Sequence, residues 1–162
     1  MQLKGKVVLI TGGSDGIGKH ICLKLAAEGC RLAILGRNHE RLDAVATEAL
    51  ERGAAEVRSY SVDLTQSVAL KAVTQAVLSD FGAVDILINN AGVWHKAGPL
   101  DTIDAEVLLT TVQTNLTAVM QLTRHLLPSL RARDEAAILN VVSKSGVVAQ
   151  AGQSVYTATK YG

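Results

Sequence analysis

The sequence is poor in aromatics, prolines, cysteines and net charge, and each shortage removes a class of protein. Aromatics make up only 3% of 162 residues, yet 48% are apolar, so the hydrophobic share is mostly Ala, Leu and Val. That composition supports a packed core of helices and buried strands and excludes disorder, which needs low hydropathy and high charge. The formal net charge is +1 and no block of like charge occurs. A protein held to nucleic acid by phosphate contacts would carry a basic stripe, so a nucleic-acid partner is not expected. Two cysteines cannot make a disulfide framework. Cys22 and Cys30 stand in apolar surroundings and read as buried free thiols of a reducing, cytoplasmic protein. Long hydrophobic runs are also missing. The longest uncharged stretch, Val107–Thr123, holds five Thr, two Gln and Asn115, too polar for lipid. The N-terminal MQLKGKVVLI lacks the long apolar stretch and cleavage-type site of a signal peptide. The only prolines, Pro99 and Pro128, mark a loop and the end of a long helix, and no linker divides the chain. The length fits one domain.

What is present is alternation. Short continuous apolar runs, Val7–Ile10, Leu32–Leu35, Ile86–Ile88 and Ile138–Val142 (broken by Asn140), suit strands buried on both faces of a parallel sheet. Val57–Val62 alternates and reads as a strand nearer an edge. Between them, Leu42, Val45, Ala46, Ala49 and Leu50 form a helical stripe, with Glu48 and Arg52 placed to pair on its wet face. Leu70, Val73, Val77, Leu78 and Phe81 form another stripe, ended by Gly82. Residues 104–131 predict one long helix with few charges, buried on more than one side, as at a subunit contact. The order β-α-β-α-β-α-β-α-β, with a further helix beginning, predicts an open α/β fold: a Rossmann-type, doubly wound parallel sheet with right-handed crossovers.

The first strand runs into Thr11-Gly12-Gly13-Ser14-Asp15-Gly16-Ile17-Gly18 and then a helix. Glycines here permit a tight turn, close approach of backbone to a pyrophosphate and close helix–strand packing, while the helix N-terminus offers N–H groups to the phosphates. Two other readings exist. Gly13-x-x-x-x-Gly18-Lys19 matches most of the phosphate loop of nucleotide hydrolases, but His20 stands where the Mg²⁺-binding Ser or Thr is needed. A purely structural glycine turn is the other. Strand two ends in Gly36-Arg37-Asn38, without the acid that would bind an NAD ribose. A guanidinium at Arg37 can pair a 2′-phosphate, which favours NADP over NAD, with a solvated Arg at a helix start as the alternative. The Asp15 charge near the loop works against that preference.

Tyr156 and Lys160 lie four residues apart, on one face of a helix. A phenol ionises near pH 10, too high for neutral proton exchange, and a neighbouring ammonium stabilises the phenolate. Taken alone, Ser143 reads as a strand end and Asn115 as a satisfied polar group. His20, His39, His95 and His125 show no metal-ligand spacing, and no metal site is expected. Trp94 and His95 read either as substrate contacts or as loop packing.

Together, the glycine motif at 11–18, Asn89-Asn90-Ala91-Gly92, Asn115, Ser143, Tyr156 and Lys160 resemble the short-chain dehydrogenase/reductase family in order and spacing, over residues 6–162. Ser143 precedes Tyr156 by 13 positions and follows Asn115 by 28. The resemblance implies a nicotinamide cofactor and interconversion of a small-molecule carbonyl and alcohol without a metal. It implies that Tyr156 is the acid/base and that Lys160 lowers its pKa and binds the nicotinamide ribose. Ser143 would orient the substrate oxygen, and Asn115 would hold a relay water. The cofactor-binding set would be Gly12, Ser14, Asp15, Gly16, Ile17, Gly18, Arg37, Asp63, Leu64, Asn90, Ala91 and Gly92, with Tyr156 and Lys160; Asp63-Leu64 matches the family's adenine contact. The resemblance also implies strand order 3-2-1-4-5, with five of an expected seven strands, and a homo-oligomer. The chain stops two residues after Lys160, where family members continue. Residues 1–162 are therefore expected to be a single dinucleotide-binding domain, C-terminally incomplete, with strand five an unpaired edge. A natively short, non-catalytic nucleotide-binding or interaction module is the alternative.

Overall fold

The computed structural model describes residues 1–162. Five parallel strands, β1 (Val7–Thr11), β2 (Arg31–Gly36), β3 (Glu56–Ser61), β4 (Ile86–Asn89) and β5 (Ala137–Asn140), form one sheet in the order β3-β2-β1-β4-β5. Side chains alternate across the sheet and feed two cores. On one face Val8, Ile10, Leu32, Ile34 and Ile88 pack with Cys22, Leu23 and Ala26 of helix α1 (Gly16–Ala27) and Leu42, Val45 and Ala49 of α2 (His39–Glu51). On the other, Val7, Leu9, Leu35 and Leu87 meet Val73, Val77 and Phe81 of α3 (Ser67–Phe81) and Leu122, Leu126 and Leu130 of a later helix. Burial on both faces explains the continuous apolar runs of β1, β2 and β4. Each fully buried Leu, Ile or Val there contributes about 1.5–3 kcal/mol. Cys22 and Cys30 are buried and unpaired. Burial pushes the Cys22 thiol up to about 12, so it is a packing group and not a reactive thiolate.

The sheet brings its carboxyl ends to one side. Strand order reverses at β1, where crossovers go to β2 on one side and β4 on the other, and a crevice opens between the loops that follow. β3 is the predicted edge, and none of its residues is fully buried. Tyr60 donates to Asp80 at 2.7 Å, and Arg31 and Arg58 share Glu56 beside it. Glu48 holds Arg52 at 2.8 Å as the spacing suggested, and also Lys19 at 2.8 Å.

Three expectations need correction. The run at 138–142 is not a strand buried on both faces: β5 covers Ala137–Asn140, and all four residues are exposed because β5 pairs with β4 alone and, unlike β3 under α2, has no helix packed closely over it. Residues 104–131 are not one regular helix. They divide into α4 (Ala105–Val112), a π-helical turn (Gln113–Thr117) and α5 (Ala118–Arg131). Within one chain the segment packs along one side only. One stripe, including Thr111, Asn115, Ala118, Leu122, Leu126 and Leu130, faces the protein, while Val107, Leu109 and Met120 are exposed. In α2, Leu50 faces solvent although it continues the apolar stripe. The final helix, α6 (Ser154–Tyr161), has the expected two turns. No helix is long and apolar enough to cross a membrane.

Candidate active site and dinucleotide groove

The glycine loop between β1 and α1 is shaped by close approach. Gly12 has φ +67°, a conformation that side chains disfavour, and a Cβ there would stand 3.0 Å from Asn90 Nδ2 and the Ala91 backbone. A Cβ on Gly18 would collide with the carbonyl of Gly12. Because that neighbour is backbone, Gly18→Ala is expected to cost about 1–3 kcal/mol of stability by overpacking, read as a lower urea midpoint. Wild-type stability in this variant would remove the close-packing argument. Asp15 caps α1 by accepting from Gly16 N–H at 2.7 Å. The N–H groups of Ile17 and Gly18 make no hydrogen bond within the chain, so the α1 N-terminus presents free donors.

A groove of about 1100 Å³ runs over this loop. Its walls are the ends of β2 and β3, the segment after β4, and one side of α4 and the π-turn. Every residue assigned to the dinucleotide, apart from Tyr156 and Lys160, lines it: the loop residues 12, 14–18, then Arg37, Asp63, Leu64 and 90–92. Thr11 stitches the floor together. Its hydroxyl oxygen accepts from Asn90 N–H at 3.1 Å and Ala91 N–H at 3.0 Å, and Asn90 Nδ2 donates to Thr11 O at 2.9 Å. Asp63 accepts from the Thr65 N–H and hydroxyl, and these bonds, with the Arg37 charge, hold its carboxyl below the usual range. The Gly12–Gly18 cradle, the free amides and the arginine at the far corner fit the size and charge of a dinucleotide.

Ser143, Tyr156 and Lys160 lie outside that groove lining, and Lys160 adjoins it at Gly92. A Cβ on Gly92 would sit 3.4 Å from Asn115 Oδ1 and 3.6 Å from Lys160 Nζ. Lys160 Nζ donates to Val141 O at 3.2 Å and lies 5.8 Å from the Tyr156 ring centroid. Ser143 begins a single 3₁₀ turn, Lys144–Gly146, where its Oγ accepts from Ser145 N–H at 3.2 Å. Gly146 then packs directly on the backbone of Lys160, which ties the serine turn to α6. Asn115 sits in the π-turn, a distortion that sequence patterns do not reveal. Its Oδ1 accepts from Val93 N–H at 2.8 Å, and Nδ2 donates to Val93 O at 2.9 Å and Thr159 Oγ1 at 3.2 Å. Both amide protons are therefore committed. The side chain brackets the segment after β4 against α6, and a relay water has only a lone pair of Oδ1 left on it.

Two residues absent from the sequence reading stand out. Thr159 accepts from Asn115 and donates to Tyr156 O at 2.8 Å, linking the two catalytic candidates on either side of it. Arg41 lines the groove near Arg37. Its readable signal was a cation in the first turn of a helix, where the dipole disfavours it and an anion is wanted. Of the loop pair, His95 is buried with Nδ1 against Lys96 O at 2.9 Å, while Trp94 is 60% exposed.

The chain matches the short-chain dehydrogenase family model over residues 6–162. The chain belongs to the short-chain dehydrogenase family. Among its relatives, a D-beta-hydroxybutyrate dehydrogenase of Cupriavidus necator is 35% identical over 162 residues, 99% of this chain and 62% of that protein. A metagenomic short-chain oxidoreductase solved in complex with NADP superposes with a TM-score of 0.94 at 36% identity, covering 100% of this chain and 72% of that one. An NAD⁺-bound xylitol dehydrogenase superposes with a TM-score of 0.92 at 29% identity, covering 99% and 62%. The chain spans less than two thirds of the length of the curated relatives it matches. The family fold, a Rossmann-like α/β sheet in the order 3-2-1-4-5, is the one observed.

Proposed function

We propose that this chain carries the dinucleotide-binding and catalytic core of an NADP-dependent oxidoreductase that interconverts a carbonyl and an alcohol. The observation that carries the reading is the junction at Gly92. There the groove meets a lysine whose amine faces the Tyr156 ring at 5.8 Å. A bound nicotinamide supplies or accepts the hydride. In reduction, Tyr156 Oη–H gives its proton to the carbonyl oxygen of the substrate; in oxidation the phenolate takes it back. Lys160 Nζ, held by the Val141 carbonyl, keeps its ammonium beside the phenol ring. Ser143 Oγ already accepts from Ser145 N–H, which leaves its own proton to donate to the substrate oxygen. Asn115 and Thr159 keep Val93 and α6 in register, so the tyrosine stays at a fixed distance from the groove. The family supports oxidoreduction with a nicotinamide dinucleotide, and structural neighbours in complex with NADP and with NAD both exist.

Arg37 supports NADP. No carboxylate stands at the end of β2 to bind a ribose 2′-OH, and the guanidinium offers charge-assisted donors to a 2′-phosphate. In fluorescence titrations NADPH is expected to bind at least about tenfold tighter than NADH, a difference of about 1.4 kcal/mol. Arg37→Ala is expected to remove most of the difference. Equal affinities in the unmutated protein overturn the preference for NADP.

A further inference from the structure

One corner of the groove holds more charge than a ribose needs. It is closed by Ser14 and Asp15 of the glycine loop, by Gly36, Arg37 and Asn38 at the end of β2, and by Arg41 of α2. The corner is tightly built, since a Cβ on Gly36 would stand 3.0 Å from Ser14 Oγ. Arg41 Nη1 lies 2.9 Å from Asp15 Oδ2, across the space between α2 and the loop. The other oxygen of Asp15 caps α1 at Gly16 N–H. With Asp63 in the field of Arg37, this end of the groove has two guanidiniums and two carboxylates, and their formal charges cancel.

We infer that the Asp15–Arg41 pair restrains discrimination between dinucleotides with and without a 2′-phosphate: Asp15 holds Arg41 when that phosphate is absent, and the phosphate takes Arg41 from Asp15 when it is present. The inference rests on the NADP reading and adds two residues to it with opposite effects. Arg41 lies in the first turn of α2, where its charge opposes the helix dipole and wants an anion. Asp15 fills that need. Both side chains are largely exposed, at 73% and 63%, so the bridge is weak and readily exchanged. A phosphate monoester carries a charge of about −1.5 to −2 at neutral pH and has more acceptor oxygens than one carboxylate. It therefore outcompetes Asp15 for the guanidinium but must bind beside the carboxylate it has displaced. Lys19, which shares a neighbouring surface hollow with Asp15, does not relieve this because its amine is held by Glu48 at 2.8 Å.

The test uses two probes of the adenosine half, adenosine 2′,5′-bisphosphate and 5′-AMP, titrated calorimetrically into the full chain. Asp15→Asn keeps an oxygen to cap α1 and loses only the charge. It is expected to raise the ratio of bisphosphate to 5′-AMP affinity at least about threefold, because repulsion of the 2′-phosphate is relieved only for the bisphosphate while the 5′-phosphate is common to both probes. Arg41→Gln is expected to weaken the bisphosphate about fivefold or more, since it removes a donor. Measured against Asp15→Asn, the loss from adding Arg41→Gln is expected to be larger than in the single variant, because without Asp15 the guanidinium gives up no bridge on binding the phosphate, and this is the signature of coupling between the pair. An unchanged or lowered bisphosphate-to-AMP preference in Asp15→Asn overturns the inference, as does full additivity of the two substitutions. A wild-type preference near one that Arg37→Ala leaves unchanged overturns the NADP reading instead, and the response to Asp15→Asn still decides this inference.

Discussion

Tyr156→Phe is expected, on the proposed reaction, to lower carbonyl turnover by about 10²–10⁴-fold while cofactor affinity changes less than threefold. The substitution removes one oxygen and its proton and keeps the ring in place. That ring lies beside Lys160 Nζ, and the amine is independently fixed by the Val141 carbonyl at 3.2 Å, so its position does not depend on the phenol oxygen. The groove lining, from the glycine loop to Gly92, contains no atom of Tyr156, so dinucleotide binding has most of its contacts left. Stopped-flow measurement of nicotinamide oxidation with substrate, alongside titration of cofactor binding, separates the two effects. Lys160→Ala offers a contrast: it removes the ammonium beside the Tyr156 ring and the amine that stands at Gly92, so turnover and cofactor affinity are expected to fall together. Undiminished turnover in Tyr156→Phe would mean that another group delivers the proton, and the assignment of α6 as the catalytic helix would fail.

The sheet was readable because each inner strand is buried on both faces, which writes the strand into the sequence as an apolar run. Val7–Ile10, Leu32–Leu35 and Ile86–Ile88 are such runs, and all three are strands of the central sheet. The same rule misread Ile138–Val142, because apolarity records what a strand can pack against and not what covers it. The groove was readable for a related reason. Gly12 and Gly18 have no substitute where backbone meets backbone, so their spacing is visible in sequence. Side-chain pairings across the groove were not. Arg41 meets Asp15 only because α2 and the glycine loop converge at the end of β2, and 26 positions separate them. Thr159 meets Asn115 only through the π-turn, whose extra residue shifts the helical phase and leaves no mark in hydrophobic periodicity. The order and spacing of the motifs single out Asn115, but its bonds to Val93 arise from the meeting of two segments 22 positions apart and leave no pattern in the sequence.

The far end of the sheet carries the largest expected loss of stability. Asp85 precedes β4, its side chain is only 4% exposed, and its two oxygens are engaged by different partners. Oδ2 accepts from Val7 N–H at 2.8 Å, which fixes the start of β1, and Oδ1 accepts from Arg133 Nε at 2.7 Å, with Lys6 Nζ at 3.8 Å. Asp85→Ala leaves the buried Val7 N–H without a partner, a cost of about 1–3 kcal/mol, and removes the centre of a buried charge cluster. Arg133 is 40% exposed, so solvent reclaims part of its interaction, and a total of about 3 kcal/mol is expected. For a chain of this size that corresponds to a melting temperature lower by about 10 °C. Asp85→Asn keeps an acceptor for Val7 and is expected to lose about half as much. Acid should reproduce the effect. Burial pushes the Asp85 carboxyl up, but the Val7 N–H, the Arg133 bond and charge and the Lys6 charge together hold it below the usual range. A carboxyl depressed in the folded state stabilises the fold fully above its unfolded value, near about 4, and loses that contribution as pH falls through the folded one. The stability difference between wild type and Asp85→Ala should therefore be complete at neutral pH and shrink below about pH 4, measured by urea unfolding across that range. A difference that stayed constant into acid would mean that the carboxylate's charge contributes nothing and that only the shape of the side chain matters.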